Sequence, residues 1–126
     1  MLVCLLPLTA QTRGIMCREN LLKLNGGKPG GYLINVARGA HLVDDDLIPL
    51  LDAGQLAGAT LDVFAAEPLA PDHPFWRHPK ITVTPHASAR TLREESIAQI
   101  AGKIRALEGG AGFDALPGVV DAARGY

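Results

Sequence analysis

Four side chains able to bind an anion or move a proton stand at the ends of short apolar runs. Arg38 follows residues 32–37, Asp62 and Glu67 lie at and just after residues 59–63, and His86 follows residues 81–84. Arginine carries a permanent charge on a planar fork of donors, and histidine is the side chain whose proton comes and goes near neutral pH. Singly, each has a plain explanation. An arginine after a strand is usually a surface charge, and a loop histidine after proline often only hydrogen-bonds backbone. Glu67-Pro68 reads as a turn and Asp62 as a strand-end cap. Their shared position distinguishes them, because all lie at or beyond the carboxyl ends of runs that read as parallel strands, where open α/β sheets bind ligands.

The elements that must position them alternate in kind. Residues 1–6 are continuously apolar and closed by Pro7, the pattern of a strand buried on both faces. A short helical pattern around Leu21, Leu22 and Leu24 leads to a Gly/Pro-rich stretch, residues 25–31. A second buried strand covers 32–37. Asp44, Asp45 and Asp46 open a helix, favourably placed at its positive amino end, and Gly54 caps the other end. Strands at 59–63 and 81–84 follow, joined by a Pro-rich loop without an obvious helix, and irregular connections of this length more often carry function. Thr91 and Glu94 form a capping box for a helix to residue 108, with Ile97, Ile100, Ala101, Ile104 and Leu107 on one face and Gly109 and Gly110 stopping it. That stripe reads as packing against this sheet or another domain. Residues 111–126 read as an extended arm. The pattern predicts an α/β fold with a parallel sheet and right-handed crossovers.

Composition narrows the partners. The 126 residues suffice for one compact domain, and 48% of them are hydrophobic, enough for a packed core. Twelve basic against thirteen acidic residues, unclustered, argue against nucleic acid or an anionic membrane surface. Cys4 and Cys17 have no metal or disulfide spacing and read as free thiols of a reducing cytoplasm. The first ten residues resemble the apolar part of a signal peptide, but have no basic start and fall short of the about 15–30 residues such a signal needs. No run approaches the roughly 18 apolar residues of a membrane span. His41, His73 and His78 with Asp72 lack metal-site spacing and read as a solvated loop. Gly26, Gly27, Gly30 and Gly31 precede a strand instead of joining a strand to a helix, so they are not a phosphate loop.

In order along the chain, Pro7-Leu8-Thr9 with Thr12 and Gly14, then Asn35-Val36-Ala37-Arg38-Gly39, Leu61-Asp62-Val63-Phe64 with Glu67-Pro68, and Thr84-Pro85-His86 resemble the successive signatures of the D-2-hydroxyacid dehydrogenases. Trp76-x-His78-Pro79 and the closing residues 121–126 look most like the glyoxylate/hydroxypyruvate reductase branch. The resemblance implies an oxidoreductase passing hydride from NADPH or NADH, the former favoured, to a small 2-keto acid. It implies that Arg38 holds the substrate carboxylate, that His86 donates the proton, and that Glu67 hydrogen-bonds His86 and favours its charged form. Asp62 would orient the nicotinamide carboxamide. Pro7, Thr12, Ala37, Arg38, His86 and Ser88 would line the cofactor cleft, with no metal.

In that family the G-x-G-x-x-G loop, the ribose-reading residue and the substrate domain lie upstream of the segment matched here. The expected architecture is therefore the second half of a Rossmann-like parallel sheet domain, residues 1–90, plus a terminal helix and arm, residues 91–126, returning to the substrate domain. A full-length parent would be a homodimer. The glycine-rich stretch before the second strand departs from the family's usual shorter form. Because the same motifs occur in related transcriptional co-repressors, a non-catalytic dinucleotide-binding module and an inert truncated product are the competing expectations.

Overall fold

A computed structural model describes residues 1–89, 91–121 and 123, in two compact units, Met1–Ser88 and Ala89–Tyr126. In the first, strands β1 (Leu2–Cys4), β2 (Gly31–Asn35), β3 (Leu56–Leu61) and β4 (Ile81–Val83) form one sheet in sequence order, every neighbouring pair parallel. Helices α1 (Arg18–Leu21) and α2 (Asp44–Asp52) occupy the first two crossovers, and the third carries only a 3-10 turn, Pro74–Arg77. The register sets the position of everything that follows. Cys4 pairs with Asn35, Asn35 with Leu61, and Leu61 with Val83, so all four strands end at one level.

The core is one aliphatic cluster. Leu47, Leu50 and Leu51, at helical spacing on α2, are buried with Leu33, Ala59 and Leu61 of the sheet, together with Leu21 and Phe75. Each such leucine is worth about 1.5–3 kcal/mol relative to exposure. Asp44, Asp45 and Asp46 stand in the first turn of α2, as expected, yet none caps it. Asp46 instead accepts the Arg18 amide at 2.7 Å, fastening α1 to α2. Gly54 follows the helix with φ +72°, a left-handed stop suited to glycine.

The elements are shorter or shifted at several ends. The first strand is Leu2–Cys4, not residues 1–6, and it is not buried on both faces. It is an edge strand, so Val3, Leu5 and Leu6 are exposed and line an apolar groove of about 580 Å³. The second strand stops at Asn35, not residue 37, because the Asn35 side chain bonds the backbone of residues 37 and 38 and turns the chain out. The third begins at Leu56, where Gly58 leaves room for the Tyr32 ring, and ends at Leu61; the fourth ends at Val83.

The second unit consists of α3 (Arg93–Glu108) and a 3-10 turn at Phe113–Ala115, which interrupts the expected extended arm. The Thr91–Glu94 capping box does not form. Leu92 occupies the cap position in extended conformation without a side-chain bond, leaving Thr91 one residue too early. The stop at Gly109 and Gly110 is as expected, Gly110 taking φ +87°. Ile97, Ile100, Ile104 and Leu107 are exposed, and no described residue of α3 is buried. Of the closing residues, 122 and 124–126 lie outside the described set.

Candidate active site

Since the strands end level, the loops after them emerge side by side. After β2, the buried Asn35 accepts the Ala37 amide at 3.2 Å and donates to the Arg38 carbonyl at 3.1 Å. The Arg38 guanidinium is exposed, its Nη1 donating to the Ala37 carbonyl at 2.6 Å. Gly39 then passes so close to the loop after β3 that an added Cβ would lie 1.8 Å from the Phe64 carbonyl carbon.

His41 lies at the end of this turn and is wholly buried, not in a solvated loop. Its Nδ1 is 2.9 Å from the Arg38 carbonyl and its Nε2 is 3.2 Å from the Pro7 carbonyl. Both partners are acceptors, so one ring ties the loop after β1 to the loop after β2. The Pro7 carbonyl also accepts the Thr12 hydroxyl at 2.7 Å, and Thr12 exchanges bonds with Thr9 to close a compact turn. Neither His73 nor His78 joins a metal cluster. The His73 ring accepts the Phe75 amide and His78 bonds Asp52 at 3.2 Å, and no group of three potential ligands occurs among the described residues.

The loops after β3 and β4 bring together four more of the expected residues, Glu67 with His86 and Asp62 with Ser88. Glu67 receives the Phe64 amide on Oε1 at 2.9 Å and faces His86 Nδ1 with Oε2 at 2.8 Å. The hydrogen bond from His86 and then that from the Phe64 amide hold the Glu67 carboxyl below the ordinary carboxylate range, with the charges of His86 and Arg38 adding to the effect. Nε2 of His86 has no hydrogen bond among the described residues, and the side chain is half exposed. Beside the pair opens a cavity of about 420 Å³ walled by Phe64, Pro68, Trp76 and Thr84. A carboxylate on one ring nitrogen and an open face at the other is the arrangement of a general acid–base histidine.

Asp62 differs from the rest in being 1% exposed. Its Oδ1 accepts the Thr84 hydroxyl at 2.5 Å and the Ala87 amide at 3.0 Å, and its Oδ2 accepts the Ser88 amide at 2.9 Å. Burial pushes this carboxyl upward, but the bonds from Thr84, Ser88 and Ala87 outweigh it and leave it far below its ordinary value. Asn35, Gly39 and Thr84 stood inside the quoted motifs with no role of their own, and His41 was expected in a solvated loop. Asn35 at a strand terminus carried a weak signal as a backbone-bonding turn residue; His41 carried none.

The family model for the NAD binding domain of D-isomer specific 2-hydroxyacid dehydrogenase matches residues 1–88. The glyoxylate/hydroxypyruvate reductase A of Serratia proteamaculans is 53% identical over 126 residues, all of this chain and 38% of that protein. That of Yersinia enterocolitica is 49% identical over the same span. The chain thus covers 38% of the length of these curated relatives. Among solved structures, the Xanthobacter autotrophicus D-isomer specific 2-hydroxyacid dehydrogenase in complex with NADPH and MES superposes with TM-score 0.87 at 40% identity, over 98% of this chain and 49% of that one. The NADPH-dependent glyoxylate/hydroxypyruvate reductase of Sinorhizobium meliloti in complex with NADP and sulfate gives 0.87 at 39% identity, over 98% and 39%. The parallel four-stranded sheet is that of the Rossmann-like domain in these enzymes. By the family model, by identity along its whole length and by fold, the chain belongs to the D-isomer specific 2-hydroxyacid dehydrogenase family.

Proposed function

We propose that the protein carrying this chain is an oxidoreductase that reduces small 2-keto acids such as glyoxylate or hydroxypyruvate. The observation that carries the reading is the 2.8 Å contact between Glu67 and His86 Nδ1, with Nε2 left open beside a cavity. Arg38 binds the substrate carboxylate through its planar fork. His86 gives its Nε2 proton to the keto oxygen as that oxygen becomes a hydroxyl, and the Glu67 carboxylate stabilises the imidazolium until then. The ring, left neutral, regains a proton from solvent through its half-exposed edge.

The carboxyl edge fits a nicotinamide dinucleotide, which when bound supplies the hydride. Four parallel strands end there at one level, the place where open α/β sheets take such ligands. Pro7, Thr12, Ala37, Arg38, His86 and Ser88 would line its site, and Asp62 belongs to the same set. NADPH is preferred to NADH because the solved relatives named above were obtained with NADPH or NADP. The two free thiols suit the cytoplasm, and no helix among the described residues is long and apolar enough to cross a membrane. A homodimer is the proposed assembly of the full-length parent.

The test uses the Serratia reductase with its matching segment exchanged for these 126 residues. It should oxidise NADPH in the presence of glyoxylate or hydroxypyruvate. His86→Ala should lower turnover by about 10²–10⁴-fold while NADPH binding persists. An exchange enzyme that binds NADPH but reduces neither keto acid would favour a binding module, and a His86→Ala variant with full turnover would sink the assignment.

A further inference from the structure

We infer that Asp62 is a positioning residue that holds His86 in its working backbone conformation by clamping the loop on both sides of it. The inference rests on His86 being the acid, and it gives Asp62 a task beyond its place in the dinucleotide site. His86 has φ +52°, a left-handed conformation that a non-glycine residue keeps only when its surroundings hold it there. The Asp62 carboxylate supplies that hold. It grips Thr84, two residues before His86, and Ala87 and Ser88, one and two residues after it. Between those grips the His86 amide bonds the Thr84 carbonyl at 3.1 Å, closing a tight bend.

Two carboxylates therefore divide the work. Glu67 fixes the imidazole through Nδ1, and Asp62 fixes the backbone from which the imidazole projects. Asp62 is 1% exposed and its two oxygens accept three donors from this loop, so the loop is its main partner within the chain. Asn at this position cannot reproduce the grip. If its oxygen keeps the Thr84 hydroxyl and the Ala87 amide, its NH₂ points at the Ser88 amide, donor against donor. The freed loop relaxes toward ordinary φ, and His86 Nε2 swings away.

The experiment is Asp62→Asn, read in two ways. In the chain itself, the Ala87 and Ser88 amides should be protected from hydrogen exchange, and the variant should lose that protection. In the exchange enzyme, kcat should fall by about 10²-fold, the order expected of an acid misplaced by about 1 Å, with NADPH affinity falling far less. Weakened NADPH binding at normal kcat would make Asp62 a cofactor contact alone and overturn the inference. A lowered melting temperature with normal kcat per folded molecule would reduce its role to stability, and retained amide protection would also overturn the clamp. Should Asp62→Asn fail to fold, Thr84→Val removes one grip and leaves two. It should lower kcat by less, again by more than it lowers NADPH affinity, and unchanged kcat would refute the clamp. His86→Ala run alongside separates the readings: full turnover there removes the acid assignment, while exchange at Ala87 and Ser88 still decides the clamp.

Discussion

Replacing Gly39 by alanine tests whether the Arg38 loop must lie hard against the loop that bears Glu67. The new Cβ would stand 1.8 Å from the Phe64 carbonyl carbon, 2.1 Å from its oxygen and 2.3 Å from the Ala65 nitrogen. Carbon atoms in contact rest at roughly 3.5 Å, so the overlap is about 1.7 Å and falls on backbone that no side-chain rotation can clear. The two loops must part by more than an ångström. Overpacking of this kind costs about 1–3 kcal/mol, and displacement of catalytic groups by about 1 Å costs about 10²-fold in rate. Gly39 has no left-handed φ, so the penalty is steric alone. Gly102→Ala is the control. It lies in α3 with nothing within 4 Å of the added methyl, and it should stabilise by about 0.5–1 kcal/mol. Thermal melts and keto-acid turnover of both variants in the exchange enzyme give the answer. A Gly39→Ala protein that melts and turns over like its parent would refute the close approach.

Glu67→Gln should lower keto-acid turnover in the steady state, because a neutral amide replaces the carboxylate that holds His86 Nδ1 at 2.8 Å, and unchanged turnover would take Glu67 out of the site. The carboxyl of Glu67 is depressed by its bond from His86, so it is ionised at neutral pH. That shift also links this carboxylate to stability. Its contribution is present above the ordinary carboxylate range and is lost as pH falls through the depressed value, so the glutamine variant should lack that acid-side loss. Arg38→Lys should raise KM for the keto acid and lower kcat, because an ammonium makes no two-pronged contact with a carboxylate. Unchanged KM would take Arg38 out of substrate binding.

The apolar runs and the left-handed stop at Gly54 were legible because burial and backbone sterics act on consecutive residues. The positions of Arg38, Glu67 and His86 were legible for a related reason: each follows a strand, and the strands are parallel. Strand ends were less so. Asn35 ends β2 with a side-chain bond to backbone three residues on, a competition that hydrophobic pattern does not record. The exposure of Val3, Leu5 and Leu6 was hidden because an apolar run looks alike whether one or both of its faces are covered. Asp62 showed its place in the chain but not its inward face, since the donors that hold it come from residues 84–88, across a long loop. His41 was opaque for the same reason, its two partners being carbonyls of separate loops.

The sheet order β1-β2-β3-β4 bears on how the site comes into being during synthesis. Each strand joins beside the one made just before it, so a nascent chain can extend the sheet as it leaves the ribosome. Arg38 arrives with β2, Glu67 after β3, and His86 only when β4 has docked. At about 5–20 residues per second, the stretch from β2 to β4 takes several seconds to emerge. In the last part of that interval, after Glu67 has emerged, the guanidinium and the carboxylate are in place without the imidazole. The proton donor is the last piece delivered, so a chain stalled before Val83 presents an anion site with no acid.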